Sequence, residues 1–186
     1  AAGLDKNADA INPLSYIFGF LTKGTFVVDR RDGNDRPRVA VDEKNENAYN
    51  AQGFPSMGKY HALKNLYEYQ RSEAPKKPII ASICGLPHLI KEEGISSFAP
   101  NKNRVIIEST ANIVRYKEFA EMPDTEIENA LENAYNDTEV LVHNFNPYVA
   151  GIEYNPFSPN TKSLTMLRKP DIFERYARMI RKHIEN

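Results

Sequence analysis

Apolar runs alternate with amphipathic stretches along this chain, and that alternation sets the expected elements. Residues 20–28 (FLTKGTFVV), 76–86 (KKPIIASICGL) and 149–155 (VAGIEYN) are short, apolar and rich in β-branched residues. Glycine, proline or asparagine bounds them, so they are predicted as buried strands. Residues 57–71 carry Leu63, Leu66 and Tyr67 at helical spacing, and residues 124–140 and 171–184 also have helical patterns. Asp124 or Thr125 is the expected N-cap of the second of these helices. Residues 8–20 suggest a short helix with Gly19 near its end. Residues 30–38 (RRDGNDRPR) and 50–58 (NAQGFPSMG) read as polar loops. Residues 86–123 are less regular: 88–94 suggests a helical turn, 104–110 (RVIIEST) a further strand, and 112–122 a helix or an irregular insertion.

The resulting order is strand, loop, helix, strand, insertion, helix, strand, helix. It implies parallel strands joined by crossover helices. The polar, Gly- and Asn-rich stretches follow the strands. In parallel α/β folds binding groups gather at the carboxyl ends of strands, above all in barrels of eight strands and eight helices. Three or four strands amount to about half such a barrel. The chain opens on AAGLDKN without Met and closes on an amphipathic helix, so both ends look cut from something longer. Residues 1–186 are expected to form one partial barrel domain with an insertion around 86–123.

Composition narrows the classes. Apolar residues make up 41% and charged residues 26% of the 186 positions, an ordinary globular balance. A net charge of −1 argues against nucleic acid or an anionic membrane as the main partner. One cysteine, Cys84, permits no internal disulfide, and the four histidines are scattered without metal-site spacing. No apolar run approaches the roughly 20 residues of a membrane span, and no signal peptide is visible.

Four predicted strand ends carry the candidate chemistry: AAGLDKN, TKGT, NAQGFPSMG and NPFSPNT. Each combines small residues, which let a flat ligand approach the backbone, with one or two polar side chains. Asparagine offers both donor and acceptor to a planar molecule with amide edges. Lysine offers a fixed positive charge. Singly, each has an ordinary structural reading: Asn155, Ser158 and Asn160 as turn residues, Lys6 and Lys23 as surface lysines, Cys84 as a small core residue.

In this order (AAGLDKN, then KGT, GNDRPR, NxxGFP and NxxSPNT) the motifs resemble the dihydroorotate dehydrogenase family, collinearly from residue 1 to about residue 168. The resemblance implies a flavin mononucleotide (FMN) enzyme on a TIM (β/α)8 barrel, with this chain covering about the first half. It implies oxidation of dihydroorotate to orotate, the redox step of pyrimidine synthesis, in which a base takes the C5 proton and a hydride leaves C6 for the flavin. Carried over by motif, Ser158 would be the base. Ala2, Gly3, Lys6, Thr25, Ser82 and Asn155 would contact the flavin. Lys6, Lys23, Asn50, Gly53, Phe54, Asn155 and Asn160 would hold the substrate. A serine base needs a water relay or a polarising neighbour such as Thr161.

The class within the family is mixed. Ser158, AAGLDKN and SPNT look like the membrane-associated, quinone-linked class, whereas Thr22-Lys23 and Ser82 look like the soluble class. Lys23 therefore competes with Lys6 for the substrate-side role. Gln52, Ser56, Pro156 and Phe157 depart from the usual residues. The electron acceptor, quinone or fumarate, stays open, as does a homodimer. The expected location is cytoplasmic, or membrane-associated if an anchoring helix precedes residue 1. The glycine-rich phosphate loops of the later strands are absent from these residues, so the chain alone is expected to bind flavin weakly or not at all. The alternatives are a related flavin-barrel oxidoreductase with another substrate, and a non-catalytic half-barrel.

Overall fold

The computed structural model describes residues 2–34, 36–88, 104–110, 113–118, 123–158 and 162–184. In chain order the elements are α1 (Ile11–Ser15), β1 (Leu21–Phe26), β2 (Arg30–Arg31), β3 (Val39–Asp42), β4 (Asn47–Asn50), β5 (Ser56–Met57), α2 (Lys59–Arg71), β6 (Ile79–Ile83), β7 (Arg104–Thr110), β8 (Ile113–Glu118), α3 (Asp124–Phe145), β9 (Gly151–Tyr154) and α4 (Pro170–Ile184). The three apolar runs form one parallel sheet in the order β1-β6-β9. Leu21 pairs with Ile79 and Ile80 with Gly151. Helix α2 crosses over between β1 and β6, and α3 crosses between β6 and β9, so the connections are those of consecutive β/α units.

Helices cover one face of the sheet. Leu21, Phe26, Ile79, Ala81 and Ile83 of the strands pack against Ala62, Leu66 and Tyr69 of α2 and Leu141, Val142 and Phe145 of α3. The Phe26 and Phe145 rings stack with centroids 4.6 Å apart. A second cluster, around Val27, Cys84, Leu131, Leu167 and Tyr176, fills the space beyond the carboxyl ends of β1 and β6 and seats α4 on α3. The Tyr176 hydroxyl donates to the Leu131 carbonyl at 2.7 Å, so this buried phenol is satisfied.

Most expected elements appear at their expected places, and the departures have physical causes. Helix α3 runs on to Phe145 because Leu141, Val142 and Phe145 extend its apolar stripe. It starts at Asp124 behind Pro123, without a side-chain cap, so Asp124 serves as a first-turn acid and neither Asp124 nor Thr125 is the N-cap. Residues 113–118 form a strand rather than a helix, paired antiparallel with β7. The β3-β4 hairpin, in a stretch to which the sequence pattern assigns no element, pairs Val39 with Asn50 and Asp42 with Asn47. The suggested turn at 88–94 lies outside the described residues from 89 onward. Among the described residues no helix is long and apolar enough to cross a membrane.

Candidate active site

A cleft of about 350 Å³ opens at the carboxyl ends of β1, β6 and β9. Four separated segments wall it: residues 2–6, Thr25, the loop 50–54, and the stretch 155–158 that leaves β9. Its floor is a hydrogen-bond chain across the sheet. The Asn155 Nδ2 donates to Thr25 Oγ1 at 2.8 Å, and Thr25 Oγ1 lies 3.1 Å from Ser82 Oγ. The register shifts between Gly24 and Phe26, which leaves Thr25 as a bulged residue beside Ser82. Asn155 is held further by its own N–H to the Ile83 carbonyl at 2.9 Å and by the Phe157 N–H to its Oδ1 at 3.3 Å.

Residues 2–7 lie along β1 as a strap. The Gly3 N–H donates to the Gly24 carbonyl at 2.7 Å, and the Gly24 N–H donates to the Asp5 carbonyl at 3.3 Å. Asp5 is buried and anchors the strap. Its Oδ1 accepts from the Asp9 N–H at 2.8 Å, and its Oδ2 accepts from the Ala10 N–H at 3.0 Å and from Lys23 Nζ at 2.6 Å. The far end of the strap is tied to α2, where Asn65 Nδ2 donates to the Asn7 carbonyl at 3.0 Å and His61 Nε2 lies 2.7 Å from Asp9 Oδ1. Lys6 projects from this strap into the cleft, and Lys23 does not line it. Burial lowers the Lys6 pKa from the usual lysine range. Lys6 is the only charged group among the described residues that line the cleft.

The loop 50–54 brings Asn50, Gln52, Gly53 and Phe54 to the opposite wall. Asn34, from the GNDRPR motif, supports it from behind: its Nδ2 donates to the Ala51 carbonyl at 2.8 Å, and its N–H to the Gln52 carbonyl at 3.0 Å. Ser158 lines the cleft two residues beyond the buried Pro156. Phe157 also lines it, with the Arg168 guanidinium 5.6 Å from its ring centroid. Asn160 and Thr161 lie outside the described residues.

The structure thus brings Ala2, Gly3, Lys6, Thr25, Asn50, Gly53, Phe54, Asn155 and Ser158 to one cleft, with Ser82 one hydrogen bond behind. Lys23 sits in the buried pair with Asp5. Sequence reasoning missed Asp5 and Asn34 as supports, although both stand inside motifs it singled out. It treated Gln52 and Phe157 only as departures. Cys84 and His88 stand apart from the cleft lining. Burial pushes the Cys84 thiol up to about 12, and His88 lies 2.9 Å from Asp137. The donor set of amides, hydroxyls and one ammonium, with no carboxylate among the described lining residues, suits a flat, electron-rich or anionic ring. A Cβ built on Gly3 would meet only Lys6 Nζ, at 3.8 Å, so this backbone offers an open shelf along which a planar molecule can lie.

The family model described as "Dihydroorotate dehydrogenase" matches residues 1–182, and the chain belongs to that family. A dihydroorotate dehydrogenase (quinone) of Buchnera aphidicola is 29% identical over 183 residues, which is 98% of this chain and 41% of the relative. The enzyme of the same name from Hamiltonella defensa is 26% identical over 183 residues, with the same two coverages. That from Azotobacter vinelandii is 44% identical over 64 residues, 34% of this chain and 18% of its own length. A crystal structure of the Eimeria tenella dihydroorotate dehydrogenase with ferulenol superposes with a TM-score of 0.68 at 23% identity, covering 100% of this chain and 40% of that one. Its ligand-free form gives 0.65 at 21% identity, covering 42% of that chain. The parallel β/α units described above are therefore part of an α/β barrel. The chain spans about two fifths of the length of the relatives it matches from end to end.

Proposed function

We propose that this chain forms the front part of an FMN-dependent oxidoreductase that converts dihydroorotate to orotate. The observation that carries the reading is the convergence of Lys6, Thr25, Asn50, Asn155 and Ser158, from four separate segments, on one cleft at the strand ends. When bound, FMN supplies the acceptor for the hydride that leaves the substrate. Ala2 and Gly3 would give its ring a flat backbone shelf, and the Ser82–Thr25–Asn155 chain would fix the floor of the cleft that receives it. Lys6 binds the negative charge of the substrate carboxylate or of the flavin edge. Asn50, Asn155 and Asn160 orient the pyrimidine ring through its amide groups, and Gly53 and Phe54 shape the wall beside it. Ser158 takes the C5 proton, helped by a water relay or by Thr161. The names of the relatives favour a quinone over fumarate as the electron acceptor.

A second reading keeps the flavin barrel and changes the substrate. Phe157 favours it, because this large ring stands on the cleft wall where the family usually has a smaller side chain. One experiment separates the two readings. Anaerobic dihydroorotate is added to the purified full-length protein and the flavin absorbance is followed. Bleaching supports the first reading, and Ser158→Ala should abolish it while flavin stays bound. A yellow protein that dihydroorotate does not bleach moves the assignment to the second reading.

A further inference from the structure

A lysine ammonium deep in a protein persists only with a partner that offsets its lost hydration. Lys23 is 1% exposed and Asp5 is 7% exposed. Their contact at 2.6 Å is joined by two backbone N–H groups, from Asp9 and Ala10, on the same carboxylate. Asp5 therefore binds three donors from two directions: β1 on one side, the turn into α1 on the other. Gly3 and Asp5 are both bonded through their backbones to Gly24, the residue after Lys23. Lys6 follows Asp5 directly and enters the cleft.

We propose that Lys23 and Asp5 are positioning residues for Lys6: their buried pair clamps residues 3–6 onto β1 and so fixes where the Lys6 ammonium stands in the cleft. The two lysines that the sequence leaves in competition then have separate tasks. Lys23 is neutralised by Asp5 and acts through the strap. Among the described residues of the cleft lining Lys6 has no such carboxylate beside it, and it keeps its charge for an anion. This inference rests on the reading of Lys6 as the cation that binds the substrate.

The test is a double-mutant cycle in the full-length protein, read as KM for dihydroorotate, with kcat, flavin content and Tm measured alongside. Lys6→Met is expected to raise KM by about tenfold or more. Lys23→Met is expected to raise KM severalfold with flavin retained, and to add nothing to KM when combined with Lys6→Met. Lys23→Arg, which keeps the charge opposite Asp5, should recover most of the loss. If Lys23→Met does not fold, Asp5→Asn/Lys23→Met leaves no unpaired buried charge and carries the same cycle. A purely structural pair would lower Tm at unchanged KM, or give effects that add to those of Lys6→Met; either result overturns the clamp and leaves Lys6 in its role. An unchanged KM in Lys6→Met overturns the reading of Lys6 itself, and the clamp with it.

Discussion

Asn155 and Thr25, 130 residues apart, are joined by a hydrogen bond of 2.8 Å from the side-chain amide to the hydroxyl. Thr25 is the last residue but one of β1, Asn155 follows β9, and Thr25 also touches Ser82 of β6, the strand between β1 and β9. One chain of side-chain bonds thus crosses the carboxyl edge of the parallel sheet. Thr25 and Ser82 are both buried, so water cannot replace these bonds if one is lost.

Thr25→Val tests that edge. Valine keeps the shape and removes the hydroxyl, which leaves the Ser82 hydroxyl and one Asn155 N–H without this partner. The expected cost is about 1–3 kcal/mol, the usual penalty for a buried polar group left unpaired. Urea unfolding of the full-length protein reads it as a lower midpoint at constant m. A midpoint equal to wild type would show that the chain of bonds contributes nothing to the fold.

Gly24→Ala should be far more damaging than Gly19→Ala. Gly24 has φ +113, and a Cβ there would sit 2.4 Å from the Ser82 carbonyl oxygen on the neighbouring strand. Backbone must move on β1 or β6, beneath the floor of the cleft. A loss of about 1–3 kcal/mol is expected from the backbone conformation alone, before the clash is counted. Gly19 has nothing within 4 Å of its Cβ position, so alanine there should be close to neutral. Equal Tm values for the two variants would refute the assignment of Gly24 to a close strand crossing.

These positions also show what the sequence made legible. The three parallel strands could be read because Ile79, Ile83 and Phe26 belong to dense apolar runs whose burial needs no knowledge of partners. The β3-β4 hairpin could not: Val39, Val41 and Tyr49 are exposed, and its strands hold together by register rather than by an apolar face. Residues 113–118 alternate enough to pair with β7, yet six residues of that pattern do not separate strand from helix. At the site, the residues that touch the cleft stood in motifs and could be named. Their supports could not, because Asp5 and Asn34 act through contacts with Lys23 and Ala51, 18 and 17 residues away, that no local pattern encodes. Two lysines of equal promise were told apart only by burial and by the carboxylate beside one of them.

Asn34→Ala tests a support of the opposite wall. It removes the side-chain donor to the Ala51 carbonyl and leaves the loop that carries Asn50, Gln52, Gly53 and Phe54 held from Asn34 by the backbone bond to the Gln52 carbonyl. The loop is expected to sample positions that do not bind, so KM for dihydroorotate should rise severalfold while kcat at saturation changes less. Asn34→Asp has no side-chain donor for that carbonyl and should behave in the same way. A fall in kcat at constant KM would assign Asn34 to the chemical step instead.

Lys6 sets function against stability, and the sign of the effect follows from linkage. Burial lowers the Lys6 pKa, so the folded protein releases this proton at a lower pH than the unfolded chain does. Between the lowered value and the usual lysine value the unfolded chain binds more protons, so stability rises with pH across that window. Below the window the ammonium is charged in both states, and its burial works fully against the fold. Lys6→Met should therefore melt slightly higher than wild type at neutral pH, with the gap shrinking toward roughly pH 10. The same variant should bind orotate about tenfold or more weakly, because a charge-assisted contact is lost. Thermal melts at both pH values and an orotate titration on one preparation read the two effects together. A Lys6→Met protein that melts lower at neutral pH would show that the ammonium is paired in the folded state, and orotate affinity equal to wild type would remove Lys6 from the binding site.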